Sequence, residues 1–256
     1  VQNTATVGFN DTNALRELFA ARGKEIACVI VEPVVGNMGC VPPEPGFLQT
    51  ILDLCREHGA LSILDEVMTG CRLSPGGAQE LYGLRPDLTC LGKIVGGGMP
   101  LAVYGGRRDV MSTVAPLGPV YQAGTLSGNP LAVTAGLATL DALGQASYAR
   151  LEEISKRLGD GLERALKETE SVGVVQRVGS MLTLFFCNGP VRSWNDARTS
   201  DTRRFGAWHR AMLARGVSWP PSQFEAAFVS LAHTVGDIDT TLEAARAALV
   251  ESRSSA

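Results

Sequence analysis

Asp65 closes the apolar run 60–65 (ALSILD) and Glu66 follows it, while Lys93 comes after a second short apolar run and Gly92. Gly96, Gly97 and Gly98 stand immediately beyond the lysine. Carboxylates at the carboxyl end of a strand lie where open α/β sheets bind their ligands. A lysine amine can bond an aldehyde-bearing cofactor, and an anionic carboxylate can keep a pyridine nitrogen protonated, so that the ring accepts electrons from a carbanion. Val67, two residues on from Asp65, is placed to pack on the face of such a ring. Each residue also has a plainer reading. Two carboxylates often leave a buried strand, and a lysine often reaches solvent along its stem. Tight glycine packing is what would crowd Lys93 against the end of the first strand.

The elements that must position these residues are legible in the hydrophobic pattern. The run 26–32 (IACVIVE) is nearly continuous and β-branched, which predicts a parallel strand buried on both faces. Leu48, Ile51, Leu52 and Cys55 follow an i, i+3, i+4, i+7 stripe and predict a helix over 46–58. Further segments read as a helix over 15–21, a strand over 60–65, a helix over 77–82, strands over 87–91 and 101–104, and a helix over 130–143. Strand and helix alternating at these intervals predict an α/β fold, a mostly parallel sheet with helices on both faces. The character then changes. A charged amphipathic helix over 152–168 precedes two antiparallel strands, 172–178 and 181–186, across Gly179-Ser180. A helix over 204–215, a short strand over 226–230 and a helix over 237–250 complete a smaller α+β layer. The expected division is 1–146 and 147–256.

Composition narrows the function. The net charge of -3 provides no basic excess for phosphate backbones, so a general nucleic-acid binder is excluded. The apolar runs are too short to span a bilayer, which leaves no membrane partner in view. Six cysteines and three histidines form no paired zinc spacing, and Cys28 and Cys55, inside apolar segments, are expected to be buried thiols. We expect a reducing, cytoplasmic location, or a plastid stroma, with no signal peptide visible. Glycine accounts for 29 of 256 residues, about 11% against a usual ~7%. It clusters at 96–98, 105–106 and 124–128, where backbone would approach backbone or a ligand.

Three blocks carry a resemblance: DEVMTG at 65–70, LGKIVGGGMP at 91–100 and YQAGTLSGNP at 121–130. Together they resemble the signature blocks of the class III aminotransferases, which have the type I pyridoxal-phosphate fold. VEPVVGNMGCVPP at 31–43 and PSQFEAAFVSLAHT at 221–234 resemble the versions found in the branch acting on glutamate-1-semialdehyde. The similarity runs from Val7 to Val250. It implies pyridoxal 5'-phosphate, or its pyridoxamine form, as cofactor. Lys93 is then the lysine that bonds the cofactor and moves protons, Asp65 the partner of the ring nitrogen, and Val67 the residue beneath the ring. Asn37 reaches the phenolic edge, and Gly124 and Thr125 serve the phosphate site of a neighbouring subunit. Glu225 lies near the substrate amino groups, and Tyr121 lines the same pocket. As plainer readings, Thr125 is a helix-approach hydroxyl, Glu225 a domain-contact carboxylate and Asn37 a turn residue.

Departures from the pattern bear on reaction type. Met68 stands where the aminotransferases commonly have Gln, so Asn37 is the expected source of that hydrogen bond. FEAAFVSLAHT lacks the arginine that would hold a substrate α-carboxylate. Cys71 and Trp219 replace residues of different shape. The resemblance therefore implies an aminomutase converting the small-molecule substrate glutamate-1-semialdehyde to 5-aminolevulinate, for tetrapyrrole biosynthesis. The alternative is an ordinary aminotransferase, which needs a second keto acid. A third reading, a catalytically idle partner that only assembles an oligomer, leaves Asp65, Lys93 and Thr125 without a purpose. The family's N-terminal portion, with its phosphate loop and ring-stacking aromatic, is absent from this sequence. It is expected as a separate piece, in a homodimer or a dimer of two-chain units.

Overall fold

The computed structural model describes residues 3–255, which divide into two compact units. The first takes the residues up to Val7, Asp11–Pro33 and Glu44–Gln145; the second takes Gly8–Asn10, Val34–Pro43 and the chain from Ala146 onward. Residues 34–43, between two elements of the first unit in sequence, therefore belong to the second.

In the first unit, α1 (Thr12–Arg22) leads to β1 (Cys28–Val31), α2 (Phe47–His58), β2 (Leu61–Glu66), α3 (Gly77–Leu81) and β3 (Leu88–Leu91). β4 (Val103–Gly106), α4 (Arg108–Met111) and α5 (Pro130–Ala142) follow. The sheet runs β1-β2-β3-β4, its first three strands parallel and β4 antiparallel to β3. The predicted stripe of α2 is buried, and Gly59, at φ 74, ends the helix by returning its N–H to Cys55. That left-handed turn is easy for glycine alone.

Burial corrects one expectation. β1 is not enclosed on both faces: Ile30 is 61% exposed, and Cys28, expected to be buried, is exposed. Side chains alternate across a strand. α2 packs on β2, where Ser62, Leu64 and Glu66 are buried. The opposite face, over Ile30 and Tyr104, is open to solvent. Apolar patterning reported how the strand wants to be covered, and the described residues cover one side.

The second unit holds α6 (Gln145–Glu168), β5 (Val174–Val178), β6 (Met181–Phe185), α7 (Trp194–Ala197), α8 (Thr202–Ala214), β7 (Ala227–Phe228) and α9 (Val235–Glu251). β5-β6-β7 is an antiparallel sheet. β6 is buried throughout, and Leu182 and Leu184 pack with Leu158 and Leu162 of α6, Trp208 of α8 and Leu249 of α9. The helix starts are fixed by side chains: Ser193 with Asp196 and Thr234 with Asp237 form reciprocal capping boxes, and Asp201 caps α8. Among the described residues no helix is long and apolar enough to cross a membrane.

Candidate active site

β2 and β3 end side by side, in a register that pairs Asp65 with Cys90 and Glu66 with Leu91. The two adjacent carboxylates point to opposite faces and have opposite fates. Glu66 is fully buried and accepts from Thr69 Oγ1 at 2.8 Å, Ala78 N at 2.6 Å, Gln79 N at 2.9 Å and Gln79 Nε2 at 3.2 Å. It clamps the strand exit to the start of α3. Gly77, at φ 70, lies so close that a Cβ there would strike the Glu66 carboxylate. Asp65 is half-buried and, among the described residues, accepts only the Val67 N–H, at 3.1 Å. Its remaining lone pairs are uncommitted.

Lys93 opens a 3-10 turn, Lys93–Gly96, three residues after the register partner of Asp65. Its φ is 51, a left-handed conformation that costs a residue with a Cβ roughly 1–2 kcal/mol. Such strain persists only where surroundings enforce it, and it concentrates at functional positions. Here the enforcement is close packing of glycine. A Cβ on Gly97 would collide with the Ala135 carbonyl of α5, and one on Gly136 with the Val95 carbonyl. On the other side, a Cβ on Gly92 would lie 3.2 Å from Val67 Cγ1. The turn is thus pressed between α5 and the end of β2, with the Lys93 side chain exposed. The structure brings Asp65, Val67 and Lys93 to one end of one sheet.

Tyr121, Gly124 and Thr125 precede α5 in the same unit, in a stretch exposed from Tyr121 to Gly128. Ser127 N–H donates to Gly124 O at 3.0 Å, and Asn129 caps α5 through the N–H groups of Leu131 and Ala132. Tyr121 is 85% exposed, so within its own unit it lines no enclosed space.

Asn37 and Glu225 belong to the second unit and lie on adjoining loops. Val35 and Val41 bridge to make a tight loop around Asn37, and Gly39 N donates to Phe224 O at 2.9 Å. Thr183 Oγ1 accepts from Cys40 N at 2.9 Å and donates to Glu225 O at 3.4 Å. Both side chains are exposed. Thr183 is the contributor that pattern reading missed, and Glu66, read beside Asp65 as a strand-end carboxylate, is a structural clamp. A lone hydroxyl in the apolar run MLTLF was the available signal for Thr183.

The departures also find places. Met68 is buried, Cys71 sits at φ 55 with its thiol pushed up by burial, and Trp219 packs at 5.4 Å edge-on to Trp208 in the second unit's core. Trp219 is therefore a core residue, and its backbone carbonyl lies 2.9 Å from His209 Nε2.

Comparison with known proteins gives a consistent picture. Residues 3–210 match the family described as Aminotransferase class-III. The chain is 69% identical over 248 residues to a glutamate-1-semialdehyde 2,1-aminomutase of Sorangium cellulosum, covering 97% of this chain and 57% of that relative. It is 57% identical over 251 residues to the enzyme of the same name from Thermomicrobium roseum, covering 98% and 58%. Among solved structures it resembles an omega-transaminase from Sphaerobacter thermophilus, with TM-score 0.88, 33% identity and coverage of 96% and 56%. It also resembles a glutamate-1-semialdehyde aminomutase from Pseudomonas aeruginosa in complex with PMP, with TM-score 0.87, 30% identity and coverage of 97% and 56%. The chain thus spans a little over half the length of the relatives it matches.

Proposed function

Since this chain belongs to the class III aminotransferase family, we propose that it carries the catalytic lysine half of an aminomutase that turns glutamate-1-semialdehyde into 5-aminolevulinate. The observation that carries the reading is the strained, glycine-packed Lys93 beside the uncommitted carboxylate of Asp65. The naming of relatives at 57% and 69% identity supports the aminomutase over an ordinary aminotransferase.

The residues present fit pyridoxal phosphate: an exposed amine, an open carboxylate at a strand end, and an exposed hydroxyl in a glycine-rich turn. When bound, that cofactor supplies an aldehyde and a ring that withdraws electrons from the substrate carbon. Lys93 would hold the cofactor through its amine, and that amine would carry protons to and from the substrate carbons. Asp65 would hold the ring nitrogen through its negative charge, and Val67 would pack on the ring. Asn37 would supply the hydrogen bond to the cofactor that the Gln replaced by Met68 gives in the aminotransferases. Gly124 and Thr125 supply phosphate donors to a second subunit, in a homodimer or a dimer of two-chain units. Tyr121 and Glu225 are the residues assigned to the substrate. In this assignment residues 1–146 are part of the cofactor domain and 147–256 a small domain, working in the cytoplasm or a plastid stroma in tetrapyrrole biosynthesis.

The test uses the full-length protein loaded with pyridoxal phosphate and reduced with borohydride. The cofactor should be fixed on the peptide containing Lys93, and 5-aminolevulinate should form without any added keto acid. Labelling at another lysine rejects the site. A strict need for a keto acid transfers the chain to the aminotransferases.

A further inference from the structure

A cleft of about 480 Å³ lies within the second unit, away in sequence from every residue assigned above, and its walls include Phe186, Asn188, Thr199, Asp201, Arg204 and Arg253. Arg204 is held in an unusual state. Its guanidinium lies over the Phe186 ring, 5.1 Å from the centroid, and Nη1 donates to Val172 O at a long 3.3 Å. Nε and Nη2 are buried and have no acceptor among the described residues. A buried guanidinium donor without an acceptor is costly, because the water it gave up is not replaced. The second arginine adds to the cost. Burial and then the nearby Arg253 push the Arg204 pKa down, with the charge of Asp201 opposing them. The one carboxylate in the wall, Asp201, already accepts the Arg204 backbone N–H at 2.9 Å as the cap of α8.

Two neighbouring guanidinium groups, vacant donors on one of them and a cleft that admits a small metabolite describe a place built for negative charge. We propose that this cleft binds a small oxyanion, a carboxylate or phosphate, whose oxygens take the Nε and Nη2 donors of Arg204 after a small rotation of the guanidinium and are held from the rim by Arg253. The fork of a guanidinium presents two parallel N–H groups, which match both kinds of anion. Thr199 is the less available donor, since its hydroxyl already gives to Asp196 O at 2.7 Å. The site is independent of the catalytic assignment, because no cofactor or substrate residue takes part in it.

The experiment is calorimetric titration of the full-length, cofactor-loaded protein with inorganic phosphate and, separately, with succinate. Loading fills the cofactor's own phosphate site. We expect saturable binding that weakens with added salt. Arg204→Met keeps an apolar stem on Phe186 and removes the vacant donors, so it should lower affinity by about tenfold or more. The same variant should melt no earlier than the parent without ligand, and it should lose the melting increase that the anion gives the parent. A purely structural role for Arg204 predicts the reverse, a lower melting temperature. Phosphate alone, succinate alone, or competition between them distinguishes a phosphate site, a carboxylate site and a shared one. Absence of saturable binding to either anion overturns the proposal, as does undiminished affinity in Arg204→Met. Should that variant fail to fold, Arg253→Gln at the exposed rim decides: unchanged affinity there overturns it equally.

Discussion

Trp208 and Ile30 are both large apolar residues in regular elements, yet Trp208 is fully buried and Ile30 is 61% exposed. The contrast extends to the units that hold them. In the second, β6 is buried along its whole length and α6, α8 and α9 close over it. In the first, one face of the sheet is open, and α5 carries Leu131, Leu137 and Leu140 in solvent while burying only Ala132 and Gly136. A helix apolar on all sides belongs in an interior. The second unit completes its own core; the first supplies surfaces that want a cover. The proposed chemistry depends chiefly on the unfinished one, since Lys93, Asp65 and Thr125 all lie there.

The largest effect should fall on the completed core. Trp208→Ala opens a cavity where nothing can collapse inward, and should cost roughly 3–5 kcal/mol in chemical denaturation. Trp208→Phe should cost far less, because the indole Nε1 is buried with no partner among the described residues and its removal relieves that donor. Equal losses in the two variants would show that the core is less tightly closed than described.

Asp65→Asn comes next and probes the open end of the first unit. The substitution keeps size but removes the charge that favours a protonated ring nitrogen. Losing ~3 kcal/mol of transition-state stabilisation slows turnover by more than about a hundred-fold, with cofactor occupancy retained. Glu66→Gln should do the converse, weakening the fold through its four donors with a smaller direct effect on chemistry. Steady-state assays beside occupancy measurements separate them. Activity within about threefold of the parent in Asp65→Asn would remove it from the mechanism.

Thr125→Val is gentler. Nearly the same shape without the hydroxyl should weaken cofactor retention by roughly 1.5–3 kcal/mol, about ten- to a hundred-fold, with folding unchanged. Equilibrium dialysis of pyridoxal phosphate measures it. Unaltered affinity would mean that the exposed turn at 121–128 serves no phosphate.

How much of this could be read from sequence depended on the range of the interactions involved. The α2 stripe, the antiparallel β5-β6 pair and the alternation of strand and helix are local patterns, and all stand in the structure. The exposure of Ile30 was not legible, because an apolar run records that a strand is covered somewhere and not by which residues. Nor was the placement of Val34–Pro43 in the second unit, which rests on contacts such as Cys40 N to Thr183, 143 residues apart. At the candidate site, the block around Lys93 is what pointed to the lysine. The reason it is held, backbone pressed on backbone at Gly97 and Gly136, appears only in three dimensions. The orphaned donors of Arg204 left no trace in the pattern at all.

The smallest effect changes no energy and measures the contrast directly, through three thiols. Cys28 lies on the open face of β1 and is exposed; Cys55 lies inside α2 and Cys40 inside the second unit, both buried. Burial pushes the Cys55 thiol up to about 11 and the Cys40 thiol up to about 12, so at neutral pH both stay protonated. Only the thiolate attacks an alkylating reagent. For this chain in native buffer, iodoacetamide should therefore modify Cys28 first. Cys55 and Cys40 should react only as fast as their units open, and peptide mass spectrometry over time orders the three. Raising the pH towards 9 should leave Cys55 and Cys40 slow, because their folded pKa values lie well above that range. The decisive comparison is with the full-length protein. If the remainder of the chain covers the open sheet face, Cys28 should become protected there while Cys40 is unchanged. Equal reactivity of Cys28 in both forms would mean that the face stays open in the whole protein and that the asymmetry between the units is intrinsic to the fold. Labelling of Cys40 as quickly as Cys28 would instead show that the second unit opens as readily as the first, and the contrast would fail at its other end.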